Sequence, residues 1–133
     1  MTVQILITAG PVTLPGELFD TPSARAVAAL LPLEARPDEW GDEFYFSIPV
    51  TMPLEENATA RVKIGDIGYW PPGEALAIFF GPTPLSSGND PVPACAVNVV
   101  GRITGDATLL RNARGAVIIR IEQTEETGKQ NLS

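Results

Sequence analysis

Apolar and polar residues alternate over residues 3–8, with Val3, Ile5 and Ile7 on one face and Gln4, Leu6 and Thr8 on the other. That period of two predicts a β-strand. Gly10-Pro11 turns the chain, and residues 12–19 predict a second strand, disturbed at Pro15-Gly16 as an edge or a bulge would be. Together they read as an N-terminal hairpin. The period then changes. Ala24, Val27, Ala28 and Leu31 recur at helical spacing, Asp20 or Thr21 can cap, Pro22 suits a first turn and Pro32 ends the run. This predicts one short helix over residues 21–31, with its alanines lying close on a sheet or across a barrel end.

Period two returns at residues 43–50, where Phe44, Phe46 and Ile48 share a face opposite Tyr45 and Ser47. Residues 33–41 and 51–59 read as loops. A short strand is expected at residues 60–64, and two more at residues 66–70 and 75–80, around the Pro71-Pro72-Gly73 turn. Residues 81–93 are rich in turn formers and predict a long, mobile flap. Residues 94–103 read as a central strand, residues 105–115 as a turn with one helical turn, and residues 116–122 as a closing strand. About eight short strands, one capped helix and many turns predict a mainly β fold, a closed eight-stranded barrel without exposed sheet edges. Residues 1–122 form that one domain and residues 123–133 a frayed polar tail.

Composition narrows the chemistry. The 133 residues carry 13 prolines and 12 glycines, which favours short elements and tight turns. The net charge of −7 repels phosphate backbones and anionic membranes, so neither nucleic acid nor membrane is expected as a partner. No signal-like segment opens the sequence, and a cytoplasmic protein is expected. With no histidine and a single cysteine, Ser-His-Asp and Cys-His sites, histidine zinc sites and thiolate cages are excluded. Any general acid or base is then Asp, Glu, Lys, Tyr or Cys. Cys95, in an apolar run, is expected as a buried small hydrophobe. No cofactor or metal is expected. The acidic run of Asp38, Glu39, Asp42 and Glu43 lacks EF-hand spacing and reads as a solvated loop.

The most unusual stretch is residues 65–84, with Gly65-Asp66, Tyr69-Trp70-Pro71-Pro72-Gly73 and Phe79-Phe80-Gly81 in succession. With the Thr21-Pro22-Ser23-Ala24 helix start, it resembles a family of small prokaryotic cyclophilin-like proteins of unassigned activity. The resemblance runs to about residue 122. It implies a cyclophilin-type eight-stranded barrel in which residues 3–8 pair with residues 117–121. Prolyl isomerase cyclophilins place an arginine on the strand after the first helix, beside a hydrophobic pocket that also uses a histidine and a tryptophan. Here no Lys, Arg or His occurs between Pro37 and Ala60.

The expected site is therefore an aromatic groove built from Tyr45, Tyr69, Trp70 and Phe79, with residues 85–93 as its rim. Alternation sends one of Tyr69 and Trp70 inward and the other outward, leaving open which. Asp66 reads first as a turn residue capping backbone N–H groups and second as a carboxylate at the groove mouth. Arg102 reads as half of an ion pair, with Asp106 as candidate partner, or as an anion holder. Trp70-Pro71 is a candidate cis bond. The expected function is non-catalytic binding of a small molecule or an extended peptide. A weak prolyl isomerase lacking the usual arginine is the alternative, and a second copy of the chain is a further candidate partner.

Overall fold

A computed structural model describes residues 2–124. The first alternation becomes β1 (Val3–Ala9), which pairs antiparallel along its whole length with β2 (Val12–Leu18). Ile5, Ile7, Ala9, Leu14 and Leu18 face the core. β2 is not an edge. Its far end, Gly16 to Leu18, pairs with β8 (Asn98–Ile103), and Pro15 still accepts a hydrogen bond from the Thr104 N–H through its carbonyl.

The helix α1 spans Pro22–Ala28. Thr21 caps it by accepting the Ala24 N–H at 3.1 Å, and Ser23, Ala24 and Val27 are buried beneath it. It ends three residues earlier than the spacing predicts, and residues 29–30 close it as a turn. The cis peptide bond among the described residues precedes Pro32, not Pro71.

Among the described residues, nine antiparallel strands form one curled sheet in the order β3-β9-β1-β2-β8-β6-β7-β5-β4. The two extra strands come from the segment expected to be a loop: β3 (Leu33–Ala35) and β4 (Asp38–Glu39). The others are β5 (Glu43–Ser47), β6 (Asp66–Trp70), β7 (Ala75–Phe79) and β9 (Ile119–Gln123). The expected strand at residues 60–64 shrinks to a single bridge between Thr59 and Val97.

The sheet is a half-barrel, not the closed eight-stranded barrel expected. Its edges, β3 and β4, are joined by Arg36 and Pro37 alone, so they stand no more than about 11 Å apart. The covalent chain spans the opening where a hydrogen-bond ladder would otherwise run. Pro37, which has no N–H to donate, is buried there.

β1 pairs with β9, with Ile5 opposite Gln123 and Ala9 opposite Ile119. The first and last strands are thus neighbours. Gln123 belongs to the sheet, while residues 125–133 of the expected tail lie outside the described residues. Among the described residues, no helix is long and apolar enough to cross a membrane.

The sheet separates two apolar clusters. The large inner one holds Phe44, Phe46, Ile67, Tyr69, Leu76, Ile78 and Phe80 with the residues of β1, β2, α1 and β9. The small outer one holds Val62, Ala77, Phe79 and Val97, flanked by Tyr45, Trp70 and Val99.

Candidate functional site

The outer cluster is incompletely covered, and a cavity of about 250 Å³ opens there. Strands β5, β7 and β6 supply its floor. Because side chains alternate, Glu43 and Tyr45 leave β5 on the face opposite Phe44 and Phe46. Opposite them on β7 stand Phe79 and Ala77, paired with Glu43 and Tyr45 respectively. Trp70, at the end of β6, completes the row.

Two backbone features build the walls. The turn from β4 into β5 is closed by the Trp40 N–H donating to the Glu43 carbonyl at 3.0 Å. Gly41 within it has φ of 62°, and a Cβ there would lie 2.8 Å from the Thr83 backbone. This tight turn sets Trp40 and Glu43 at one end of the cavity. On β6, Gly68 lacks a side chain where Val97 packs; a Cβ would meet the Val97 side chain at 2.8 Å. Val97 is held in place by two hydrogen bonds with Thr59, each 2.9 Å. Pro93, Ala94 and Val97 thereby form the wall facing the aromatic floor.

The segment behind that wall, expected as a mobile flap, is tied to itself. The Thr83 hydroxyl donates to the Val92 carbonyl at 2.5 Å, and the Ser86 hydroxyl donates to the Asp90 carbonyl at 2.6 Å.

The electrostatics centre on Glu43, which is only 7% exposed. Its Oε1 has no hydrogen-bond partner, and burial pushes its carboxyl up to about 7. Among the described residues, the one other buried side-chain atom without a partner is Trp70 Nε1. Both residues line the same cavity. Buried polar groups are nearly always paired, so two unpaired ones on residues that line one cavity single it out. Glu43 receives no help from its neighbour: Asp42 turns away to pair with Arg111 at 2.9 Å and with Arg114.

Of the residues the sequence singles out, Tyr45, Trp70 and Phe79 come together in this wall. Tyr69 does not. It points into the inner core, fully buried, where its hydroxyl donates to the Val50 carbonyl at 2.8 Å and accepts the Met52 N–H at 3.2 Å. Asp66, the first residue of β6, braces the turn before it, its Oδ2 accepting the Lys63 N–H at 2.8 Å. Arg102 lies outside the cavity and pairs with Glu17, its cross-strand partner on β2, at 2.7 Å. Asp106 is otherwise engaged, capping Thr108.

Cys95 is exposed, not buried. Pro91 and Pro93 deny the chain two backbone donors, and regular pairing starts only at Asn98. Among the described residues, no group of three His, Cys, Asp or Glu side chains is placed to hold a metal ion.

Sequence reasoning missed Glu43 and Trp40. Trp40 carries no periodic signal. Glu43 carries one: it lies two residues before Tyr45 and so shares its face.

A second, open depression at the start of α1 is lined by Thr21, Pro22, Glu55, Glu56 and Asn57. Its backbone donor is already taken, since Glu55 accepts the Ser23 N–H at 2.8 Å.

Comparison with known proteins places this geometry in a family. No curated protein matches the sequence. The fold is similar to that of a hypothetical protein from Archaeoglobus fulgidus known from a solution structure, with a TM-score of 0.75 and 35% identity, covering 92% of this chain and 95% of that one. It is also similar to McbB, solved in complex with tryptophan, with a TM-score of 0.69 and 17% identity. That alignment covers 92% of this chain and 45% of McbB, so the chain spans less than half of McbB's length and the likeness concerns the fold alone. A family model described as Cyclophilin-like matches residues 1–122, and the chain belongs to the cyclophilin-like family.

Proposed function

We propose that this protein binds a small, flat molecule in the outer-face cavity, between Trp70, Tyr45 and Phe79 on one side and Pro93, Ala94 and Val97 on the other. The observation that carries the reading is that Glu43 and Trp70, whose Oε1 and Nε1 are buried without partners, both line one largely apolar cavity. Ligand sites combine apolar walls with a few polar groups that fix orientation. The volume of about 250 Å³ lies just below the ~300–1,000 Å³ range of drug-sized pockets and suits one or two fused rings. An extended peptide would need a longer trough.

Turnover has less support. Among the described residues, none that lines the cavity is a lysine or arginine to polarise a prolyl amide. The side chains there able to move a proton are the Glu43 carboxyl and the Tyr45 hydroxyl. McbB, which shares the fold, was solved with tryptophan, and this makes indole a sensible first probe. Titration calorimetry with indole should show saturable one-site binding that Trp70→Ala weakens at least tenfold. Absence of binding by indole and other flat fragments at millimolar concentration would remove the reading.

A further inference from the structure

We infer that the natural ligand carries a protonated amine on its flat body, and that the Glu43 carboxylate takes that amine. This rests on the binding reading above and specifies the ligand's chemical class.

The placement of Glu43 supports it. The residue stands at one end of the strand floor, opposite Phe79, whereas Trp70 stands at the other, opposite Ala75. Phe79 and Ala75 are four residues apart on β7, about 13 Å at ~3.3 Å per residue. A ligand lying along Tyr45, Ala77 and Phe79 therefore meets a carboxyl at one end only. Among the described residues, no cation pairs with that carboxyl. On its own strand the nearest titratable group lining the cavity is Tyr45, and β7 contributes the uncharged Phe79 and Ala77. On β4, Glu39 is turned to Arg114 at 3.5 Å and to the Gly115 N–H at 2.7 Å. The facing wall offers Pro93, Ala94 and Val97, none charged, and Cys95 beside them is exposed. Arg111 and Arg114 are committed to Asp42.

A buried carboxylate without a counter-ion is costly, and a cation brought by the ligand removes that cost. A ligand carboxylate in the same place would add repulsion. The raised proton affinity of Glu43 has the same origin, since burial is its cause. An arriving ammonium group favours ionisation and should expel the proton Glu43 still holds near neutral pH.

The test uses three probes with the same ring: tryptamine, indole and indole-3-propionate, titrated by calorimetry at pH 7 into the full chain and into Glu43→Gln. Tryptamine should bind at least tenfold more tightly than indole-3-propionate. In Glu43→Gln, that spread should fall to within about threefold. Repeating the tryptamine titration in buffers of different ionisation enthalpy should show net release of a fraction of a proton, absent in the variant. Equal affinity for all three probes in the wild type, or an amine preference that survives in Glu43→Gln, overturns the inference but leaves the pocket standing. If none of the three binds, the pocket reading itself fails and takes the inference with it.

Discussion

Tyr69 and Trp70, adjacent on β6, stand on opposite faces of the sheet: Tyr69 is sealed in the inner core and Trp70 borders the outer cavity. Their roles should separate experimentally. Tyr69→Phe removes a hydroxyl that joins residues 50 and 52 to the core, leaving the Val50 carbonyl and Met52 N–H without that partner. It should cost about 1–3 kcal/mol of stability in urea denaturation while leaving indole affinity unchanged. Trp70→Ala should show the reverse weighting, with binding lost and a smaller effect on the denaturation midpoint. Equal effects of both changes on binding would contradict the assignment of faces.

Glu43 should make a contribution to stability that falls as pH rises from acidic to neutral. Its carboxyl ordinarily titrates at 4.5 and here at about 7. Between those values the native chain keeps a proton that the unfolded chain has released, so protonation favours the native state. The contribution is complete below about pH 4.5 and lost as pH climbs through 7. At ~1.36 kcal/mol per unit, with allowance for water reaching the cavity, the loss is on the order of 2 kcal/mol. Urea unfolding at pH 5 and pH 8 measures it. Glu43→Gln should flatten the slope, and identical slopes for the two proteins would show that Glu43 does not titrate in this window.

At the other end of the half-barrel, Asn98 is fully buried and satisfies three groups on two segments, the start of α1 and the loop at residues 53–55. Its amide donates to the Ser23 hydroxyl and to the Pro53 carbonyl, each at 2.9 Å, and its oxygen accepts the Glu55 N–H at 2.7 Å. Asn98→Ala strands all three groups and should cost roughly 2–4 kcal/mol, since each buried unsatisfied group costs about 1–3 kcal/mol and some relax to water. The midpoint of denaturation reads the effect. A change below about 0.5 kcal/mol would mean the network is not formed in solution.

The Asp42 carboxylate holds Arg111 and Arg114 against the turn that sets Glu43 and Trp40. Asp42 is buried while both arginines are about half exposed, so removing the acid costs more than removing either base. Asp42→Asn should destabilise the chain by about 1–3 kcal/mol and weaken ligand binding as the turn loosens. Arg111→Ala should cost less than 1 kcal/mol.

Much of this architecture was legible from local pattern. The alternation in residues 3–8, 43–48 and 66–70 placed β1, β5 and β6, and Thr21-Pro22 announced α1. The edges of the sheet were not legible, because strands of three and two residues carry too little pattern to show a period. For the same reason, barrel closure was over-read: strand count alone does not say whether the first and last edges meet. In the site, Tyr45, Trp70 and Phe79 were visible as aromatics on one face. Glu43 was hidden by its company, an acidic run that resembles a solvated loop, although continuing the Tyr45 face one step back reaches it. Alternation required one of Tyr69 and Trp70 to turn inward but could not say which, because both are large aromatics that suit either face; Tyr69 is the inner one.

The most direct test of the central claim is a 15N-resolved NMR titration of the full chain with indole. Saturable shifts are predicted at the Trp70 Nε1–H and at the amides of Tyr45, Ala77, Phe79 and Val97, with Asn98 and the Tyr69 surroundings unmoved. Shifts centred instead on the depression around Thr21 and Glu55, or no shifts at saturating probe, would contradict it.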